Sequence, residues 1–331
     1  MNDIYILGIE SSCDETSIAI VKNGREVISL STATQIPIHQ EYGGVVPEIA
    51  SREHLRNITY VLEDCLKKGK MKISEMNAIA VTYKPGLIGS LLVGLEAAKT
   101  LAWLYHKPLI LVDHLSGHIL ANNLNKEIMF PTLGLIISGG HTEIVVMKSF
   151  EERIVLGKTL DDAIGECYDK VARTLGLLYP GGPMIEKEAA KGNPTYDLPL
   201  PLNDKSLNFS FSGLKSAVLN LVKKEERNGQ KVNISDLACS FQKVVEETFY
   251  NKVKRAIRET HLKRLVVAGG VAANKGLRKK LEELCEEEKV ALFIPDIKYC
   301  TDNGAMIGAA GYYYYNKKEF SDLLVSAEAN D

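Results

Sequence analysis

The sequence predicts an α/β protein built of two related lobes, and three observations carry that reading. Strand and helix signals alternate from one end of the chain to the other. A strand, tight turn, strand opening at residues 4–21 recurs about 130 residues later, at 133–148. The length of 331 residues is about twice that of an ordinary domain.

The elements follow in order. Residues 4–9 (Ile-Tyr-Ile-Leu-Gly-Ile) form a buried strand and 17–21 a second. The turn Lys22-Asn23-Gly24-Arg25 leads into a third strand over 26–33. A helix over 47–66 starts on Pro47, which suits a first turn, and spaces Ile49, Leu55, Ile58 and Leu62 on a helical period. Residues 78–82 form a strand, Pro85-Gly86 turns into a helix over about 88–105, and the strand 109–112 leads into a helix that begins near His114. The pattern then restarts with strands at 133–138 and 143–148, followed by helices at 161–175, 182–191, 214–227 and 234–261. A strand at 265–268, the Gly269-Gly270 turn, a helix over 273–288, a last strand at 291–294 and a Gly- and Ala-rich helix over 303–315 complete the chain. The expected division is a first lobe at 1–130 and a second at 131–302. The helix at about 303–316 packs back on the first lobe, and 317–331 form a tail.

Composition narrows the class. With 45% hydrophobic and 25% charged residues, the chain is neither disordered nor a disulfide-built mini-protein. Its six cysteines stand far apart with no C-x-x-C pair, so they read as reduced thiols. Net charge is 40 − 42 = −2, which gives no global pull toward a polyanion. The N-terminus lacks the basic start and long apolar run of a signal peptide. The apolar stretch near 87–95 is broken by Gly89, Ser90 and Gly94, far short of the ~18 residues that span a bilayer. A soluble, cytoplasmic protein with no membrane partner is expected.

Three turns follow buried strands and mix glycine or small polar residues: Glu10 to Thr16, Ser138-Gly139-Gly140-His141-Thr142, and Gly269 to Asn274. Such turns either connect strands or offer backbone N–H groups to phosphate oxygens. His114 and His118 share a helical face at the spacing of two metal ligands, or are satisfied core histidines. Asp302 is a candidate third ligand. Leu115 stands where a zincin protease needs its glutamate base, so that reading fails. Asp161 and Asp162 suit a helix start, whereas Asp169 lies two turns further on and calls for another role. Residues 205–264 hold 13 Lys or Arg against 6 Asp or Glu, a net of +7. That excess reads either as solvated helix faces or as a polyanion surface, with Lys252, Arg255 and Arg258 as its candidate contacts.

Ten motifs occur in a fixed order: G-I-E-S-S-C-D-E-T, G-G-V-V-P-E-I-A-S-R, P-G-L-I-G-S-L-L-V-G, H-x-x-x-H, S-G-G-H-T, A-x-G-E-x-Y-D-K-V-A-R, Y-P-G-G-P, F-S-F-S-G-L-K, A-G-G-V-A-A-N and C-T-D-N-G-A-M-I. From about residue 4 to residue 315 the chain resembles the bacterial TsaD family, the tRNA adenosine threonylcarbamoyltransferases once labelled O-sialoglycoprotein endopeptidases. The resemblance implies an actin-like, sugar-kinase-like fold (the ASKHA class) of two ribonuclease-H-like lobes with an interlobe cleft. It implies transfer of the threonylcarbamoyl group from threonylcarbamoyl-AMP to the exocyclic amine of the adenosine 3′ to the anticodon in tRNAs reading ANN codons. It also implies one divalent metal, iron(II) before zinc, on His114, His118 and Asp302. Substrate positions carry over to Ile137, Ser138, Gly139, Gly140, His141, Asp169, Gly182, Glu186 and Asn274. Asp14 and Glu15 match acids needed for activity, and with His141 they are the candidates for moving the proton. The implied partners are tRNA, a related actin-like subunit of TsaB type and a P-loop ATPase subunit of TsaE type. The alternative class is an ATP-dependent phosphotransferase or ATPase of the same fold, which would use the phosphate turns but has no need of the two histidines. A scaffold paralogue would have lost the metal residues, and all three are present.

Overall fold

The computed structural model describes residues 3–329. By its contacts the chain divides into two units. One joins the N-terminal part through Ile128 to the C-terminal part from Pro295, and the other is Met129–Ile294. Residues 295–302 therefore group with the first unit, although they were expected in the second lobe.

The first unit contains β1 (Tyr5–Glu10), β2 (Glu15–Lys22), β3 (Glu26–Thr34), α1 (Ile36–Gln40), α2 (Pro47–Gly69), β4 (Ala78–Lys84), α3 (Ile88–Leu104), β5 (Leu109–Asp113) and α4 (His114–Leu120). The second contains β6 (Thr132–Ile137), β7 (Thr142–Met147), β8 (Arg153–Lys158), α5 (Ile164–Thr174), α6 (Gly181–Ala189), α7 (Ser212–Arg227), α8 (Ile234–Thr260), β9 (Arg264–Ala268), α9 (Lys275–Glu288) and β10 (Ala291–Phe293). Helix α10 (Gly304–Lys317) returns to the first unit.

Each unit holds one five-stranded sheet, ordered β3-β2-β1-β4-β5 and β8-β7-β6-β9-β10. In both, the first three strands form an antiparallel meander and the last two run parallel to the first. The recurrence seen in the sequence is thus one topology built twice. Parallel strands place their carboxyl ends, and the helix starts that follow, along one edge, where ligand sites form in such sheets.

In the first unit, Leu7, Ile9, Ile18 and Ile20 of the sheet pack with Ile58 and Val61 of α2 and Leu91 and Leu95 of α3. Helix α10 crosses β1 backbone to backbone at Gly8. A Cβ at Gly8 would stand 2.2 Å from the Gly304 carbonyl and 2.4 Å from the Gly308 nitrogen, so glycine at this crossing is demanded by the close approach. The Gly- and Ala-rich composition of α10 is the signature of that contact.

Several expectations change. Strand β8 and the short helix α1 gave no usable signal. In β8, Ile154 and Val155 are neighbours and both exposed, which breaks the alternation of a half-buried strand. Helix α5 begins at Ile164, so Asp161 and Asp162 do not sit in its first turn. Asp161 instead accepts from the backbone of Phe211 (2.8 Å) and Ser212 (3.2 Å) and from the Ser210 and Ser212 hydroxyls, at the start of α7. Asp162 pairs with Lys170 and Lys215. The expected tail is a strap as far as it is described: Ser321 N donates to Leu109 O (2.9 Å), Glu328 N to Tyr83 O (3.0 Å), and Ala327 is buried in the core. Residues 330–331 lie outside the described part. Among the described residues no helix is long and apolar enough to cross a membrane.

Candidate functional site

In the first unit, three parallel strands end side by side. Glu10 closes β1, Thr82 stands near the end of β4, and β5 runs directly into His114. Asp113 caps α4 by accepting from Ser116 N (2.8 Å), which fixes where the helix starts and aligns His114 with His118 one turn on. Asp302 precedes Asn303, whose side chain caps α10 by accepting from Met306 N (2.9 Å). The result is a convergence of donor atoms. His118 Nε2 lies 3.1 Å from His114 Nε2 and 3.1 Å from Asp302 Oδ1, and His114 Nε2 lies 3.4 Å from the same oxygen. These are the three residues the sequence singled out as ligands. Two imidazole nitrogens and one carboxylate oxygen suit a borderline transition metal better than magnesium or calcium, so the residues present fit such an ion.

Electrostatics sharpen the site. Burial alone would raise the Asp302 carboxyl, but the facing His114 and the hydrogen bonds from both imidazoles hold it far below the usual carboxylate range. Burial would lower His114, and Asp302 and Glu10 overcome that and raise it well above the ordinary histidine value. Asp14 is buried at the turn after β1, and Gln35 N donates to its carbonyl (3.0 Å). Glu15 opens β2 with Oε1 accepting from Thr34 Oγ1 (2.8 Å), while its Oε2 is buried without a partner. Burial, with Asp14 and Asp302 nearby, pushes its carboxyl up to about 8 against the single Thr34 bond.

The second unit presents a different site. Ile137 ends β6, Ser138 N donates to His141 O (2.8 Å), and His141 N donates to Ser138 Oγ (3.1 Å). Gly139 and Gly140 form the exposed tip. A Cβ at either would meet nothing within 4 Å, and neither has positive φ, so the unit itself does not require glycine there. The space a Cβ would fill is open to a ligand that approaches the backbone. Gly165 N at the start of α5 donates to Ser138 O (3.2 Å), and Gly269, at φ 97°, leaves room for the Ile137 carbonyl.

The other positions that the sequence singled out meet the starts of α6 and α9. Asp169 Oδ1 accepts from Gly181 N (2.6 Å), which brings it beside Gly182 at the start of α6. Glu186 Oε1 accepts from Lys275 N (2.6 Å), and Asn274 Oδ1 accepts from Leu277 N (2.9 Å), both at the start of α9. Helix starts concentrate backbone N–H groups and favour anions.

Sequence reasoning missed two kinds of residue. Gln242 on α8 donates to Asn274 Oδ1 (2.8 Å) and accepts from Tyr168 Oη (2.7 Å), a buried support that no spacing announces. Glu10 and Ser12 flank His114 Nδ1, and Thr82 donates to Glu10, in the same unannounced way. The basic segment requires a correction. Lys252 is only 5% exposed and its ammonium donates to Ser206 O (3.0 Å). Arg255 donates to Asp204 O (2.7 Å), and Arg258 donates twice to Glu288 (2.9 and 2.6 Å). Lys252 is thereby withdrawn from the surface, while Arg255 and Arg258 are tied to groups of their own unit.

The chain matches the family model described as tRNA N6-adenosine threonylcarbamoyltransferase (TsaD) over residues 26–309. It is 53% identical over 317 residues to the tRNA N6-adenosine threonylcarbamoyltransferase of Bacillus subtilis (strain 168), covering 95% of this chain and 92% of that protein. It is 50% identical over 329 residues to the protein of the same name from Staphylococcus carnosus (strain TM300), covering 99% and 96%. Among solved structures it resembles component A of the (R)-2-hydroxyglutaryl-CoA dehydratase of Acidaminococcus fermentans, with TM-score 0.55, 17% identity, and coverage of 95% and 98%. It also resembles HypF of T. kodakarensis, with TM-score 0.62, 14% identity, and coverage of 95% of this chain and 48% of that one. At such identities the structural likeness bears on fold alone, and the fold is of the actin-like, sugar-kinase-like class.

Proposed function

The chain belongs to the TsaD family of tRNA N6-adenosine threonylcarbamoyltransferases, and from that premise we propose how its two units divide the reaction. It is an acyltransferase of tRNA modification that forms threonylcarbamoyladenosine. The donor is threonylcarbamoyl-AMP, a mixed anhydride whose carbonyl is already activated, so no covalent nucleophile is needed. The N6 amine of the adenosine 3′ to the anticodon attacks the carbamoyl carbon. A C–N bond forms, the C–O bond to the phosphate breaks, AMP leaves with the electron pair, and N6 loses a proton.

The second unit takes the AMP end. The backbone N–H groups of Gly139 and Gly140 face the phosphate, while Ile137, Ser138, Asp169, Gly182, Glu186 and Asn274 shape the nucleoside site. In the first unit, His114, His118 and Asp302 hold one divalent ion, iron(II) in preference to zinc. When bound, such an ion supplies a Lewis acid for the carbonyl or carboxylate of the acyl group. Glu15, with its carboxyl pushed up to about 8, is protonated at neutral pH and suits hydrogen-bond donation better than proton removal. Asp14 and His141 are then the candidates for taking the N6 proton. The protein works in the cytoplasm, with subunits of TsaB and TsaE type assisting.

The observation that carries this reading is the meeting of three donor atoms within 4.8 Å in a chain whose family is shown. The test is mass spectrometry of tRNA from cells depleted of the protein. Threonylcarbamoyladenosine should fall and should return with the wild-type chain but not with Asp302→Asn. Full modification in depleted cells would overturn the function, and full rescue by Asp302→Asn would overturn the role of the metal residues.

A further inference from the structure

We propose that Glu10 is a positioning residue for the metal centre: its buried carboxylate sets the ring orientation and tautomer of His114, so that Nε2 meets His118 and Asp302 with a free lone pair. This rests on the reading of the triad as a metal site. Glu10 is fully buried, an expensive place for a carboxylate unless it is hydrogen-bonded. Three groups meet it. Ser12 N donates to Oε1 (2.6 Å), Thr82 Oγ1 donates to Oε2 (2.5 Å), and His114 Nδ1 stands 3.2 Å from the same Oε2. His114 Nδ1 faces Glu10 Oε2 and the Ser12 hydroxyl, each at 3.2 Å, and its Nε2 faces Asp302. With an ion on Nε2 the ring's one proton is left on Nδ1, where the Glu10 carboxylate can only accept it.

The placement follows from the fold. Glu10 ends β1, Thr82 lies on the adjacent parallel strand β4, and His114 follows β5 on the far side of β4. One carboxylate therefore ties three strand ends together at the point where the site is built. His118 provides the contrast. Its Nδ1 is buried and has no hydrogen-bond partner, so no polar contact on the side away from the triad orients its ring. Glu10 thus supplies directed polar support to one histidine of the pair, and carboxylate support of this kind commonly carries a large share of a site's metal affinity.

The test uses the full-length, metal-stripped protein titrated with cobalt(II), read by calorimetry and by its visible absorption. Glu10→Gln keeps the volume but places an N–H donor against Ser12 N or against His114 Nδ1. Cobalt(II) affinity should fall about 10–100-fold and the visible bands should shift, while circular dichroism stays that of the wild type. Thr82→Val removes one donor to the carboxylate and leaves the Glu10–His114 contact, so its loss should stay below about fivefold. Wild-type affinity and spectrum in a folded Glu10→Gln protein would overturn the proposal. A wild-type protein that takes up no cobalt(II) would overturn the metal reading beneath it. Should Glu10→Gln fail to fold, nitrogen-15 NMR of histidine-labelled wild type loaded with zinc decides the matter. A protonated Nδ1 on His114 supports the proposal, and ligation through Nδ1 overturns it.

Discussion

The turn after β1 and the turn after β6 occupy the same place in two sheets of identical strand order, yet they are made of opposite materials. In the first unit the turn is buried and acidic: Glu10, Ser11, Ser12 and Asp14 are all nearly inaccessible, Glu10 accepts from Ser12 N and Thr82, Ser12 Oγ lies 3.2 Å from His114 Nδ1, and Ser11 Oγ donates to Ser90 O (2.9 Å). In the second it is an exposed Gly-Gly tip with open space where side chains would stand. The difference teaches how one topology serves two tasks. A cation site needs side-chain ligands locked by their neighbours, which demands burial. A phosphate site needs backbone that a ligand can reach, which demands that nothing be there.

The same contrast runs through the glycines, and breaking it gives the largest expected effect. Gly8 sits where a Cβ would strike the backbone of α10, whereas Gly139 sits in open space. Gly8→Ala should destabilise the protein by roughly 3 kcal/mol, the upper range for forced overpacking. Gly139→Ala should change stability by less than ~0.5 kcal/mol, as at ordinary surface sites. Urea denaturation of both compares them directly, and similar losses would mean that Gly139 too is a packing residue.

The acids sharpen the comparison at a smaller scale. Glu15 in the first unit has its folded-state pKa raised from 4.5 to about 8, so the folded protein binds its proton more tightly than the unfolded chain does. That contribution to stability is complete below pH 4.5 and is lost as pH rises through about 8. Glu15→Gln should therefore match the wild type near pH 4 and exceed it by roughly 2 kcal/mol above pH 9 in metal-free protein, after allowance for partial exposure. A constant difference across that range would show that the carboxyl titrates normally. Asp161 in the second unit is an acid of another kind, a cap for α7. Asp161→Ala should cost about 1–2 kcal/mol in thermal or denaturant unfolding while metal content stays unchanged. A loss of metal would tie that loop to the other unit's site.

How much of this was legible in the sequence depends on the range of the interaction. His114 and His118 are four residues apart on one helix, and Asp302 lies within a recognisable motif, so the triad could be named before any coordinates. The Gly139-Gly140 turn was equally plain, because a glycine pair after an apolar strand is a local signal. Glu10 was visible as a residue but not as a support, since its partners Thr82 and His114 are set by the register of β1, β4 and β5. Gln242 is hidden for the same reason, 32 residues from the Asn274 side chain that it holds. The basic excess at 205–264 left the roles of its members unread, because charge counts carry no pairing information. Lys252 is buried, and Arg258 is matched to Glu288, an acid 30 residues away and outside the counted window.

If metal and nucleotide are held by separate units, the two can be lost one at a time. Metal content by elemental analysis and AMP affinity by calorimetry are determined for the wild type, for Gly140→Val, and for the double variant His114→Ala, His118→Ala. Gly140→Val should keep full metal and bind AMP at least about tenfold more weakly, a change of about 1.4 kcal/mol. The double histidine variant should lose the metal and keep AMP affinity within about twofold. Unchanged AMP binding in Gly140→Val, or wild-type metal content in the double variant, would contradict the account.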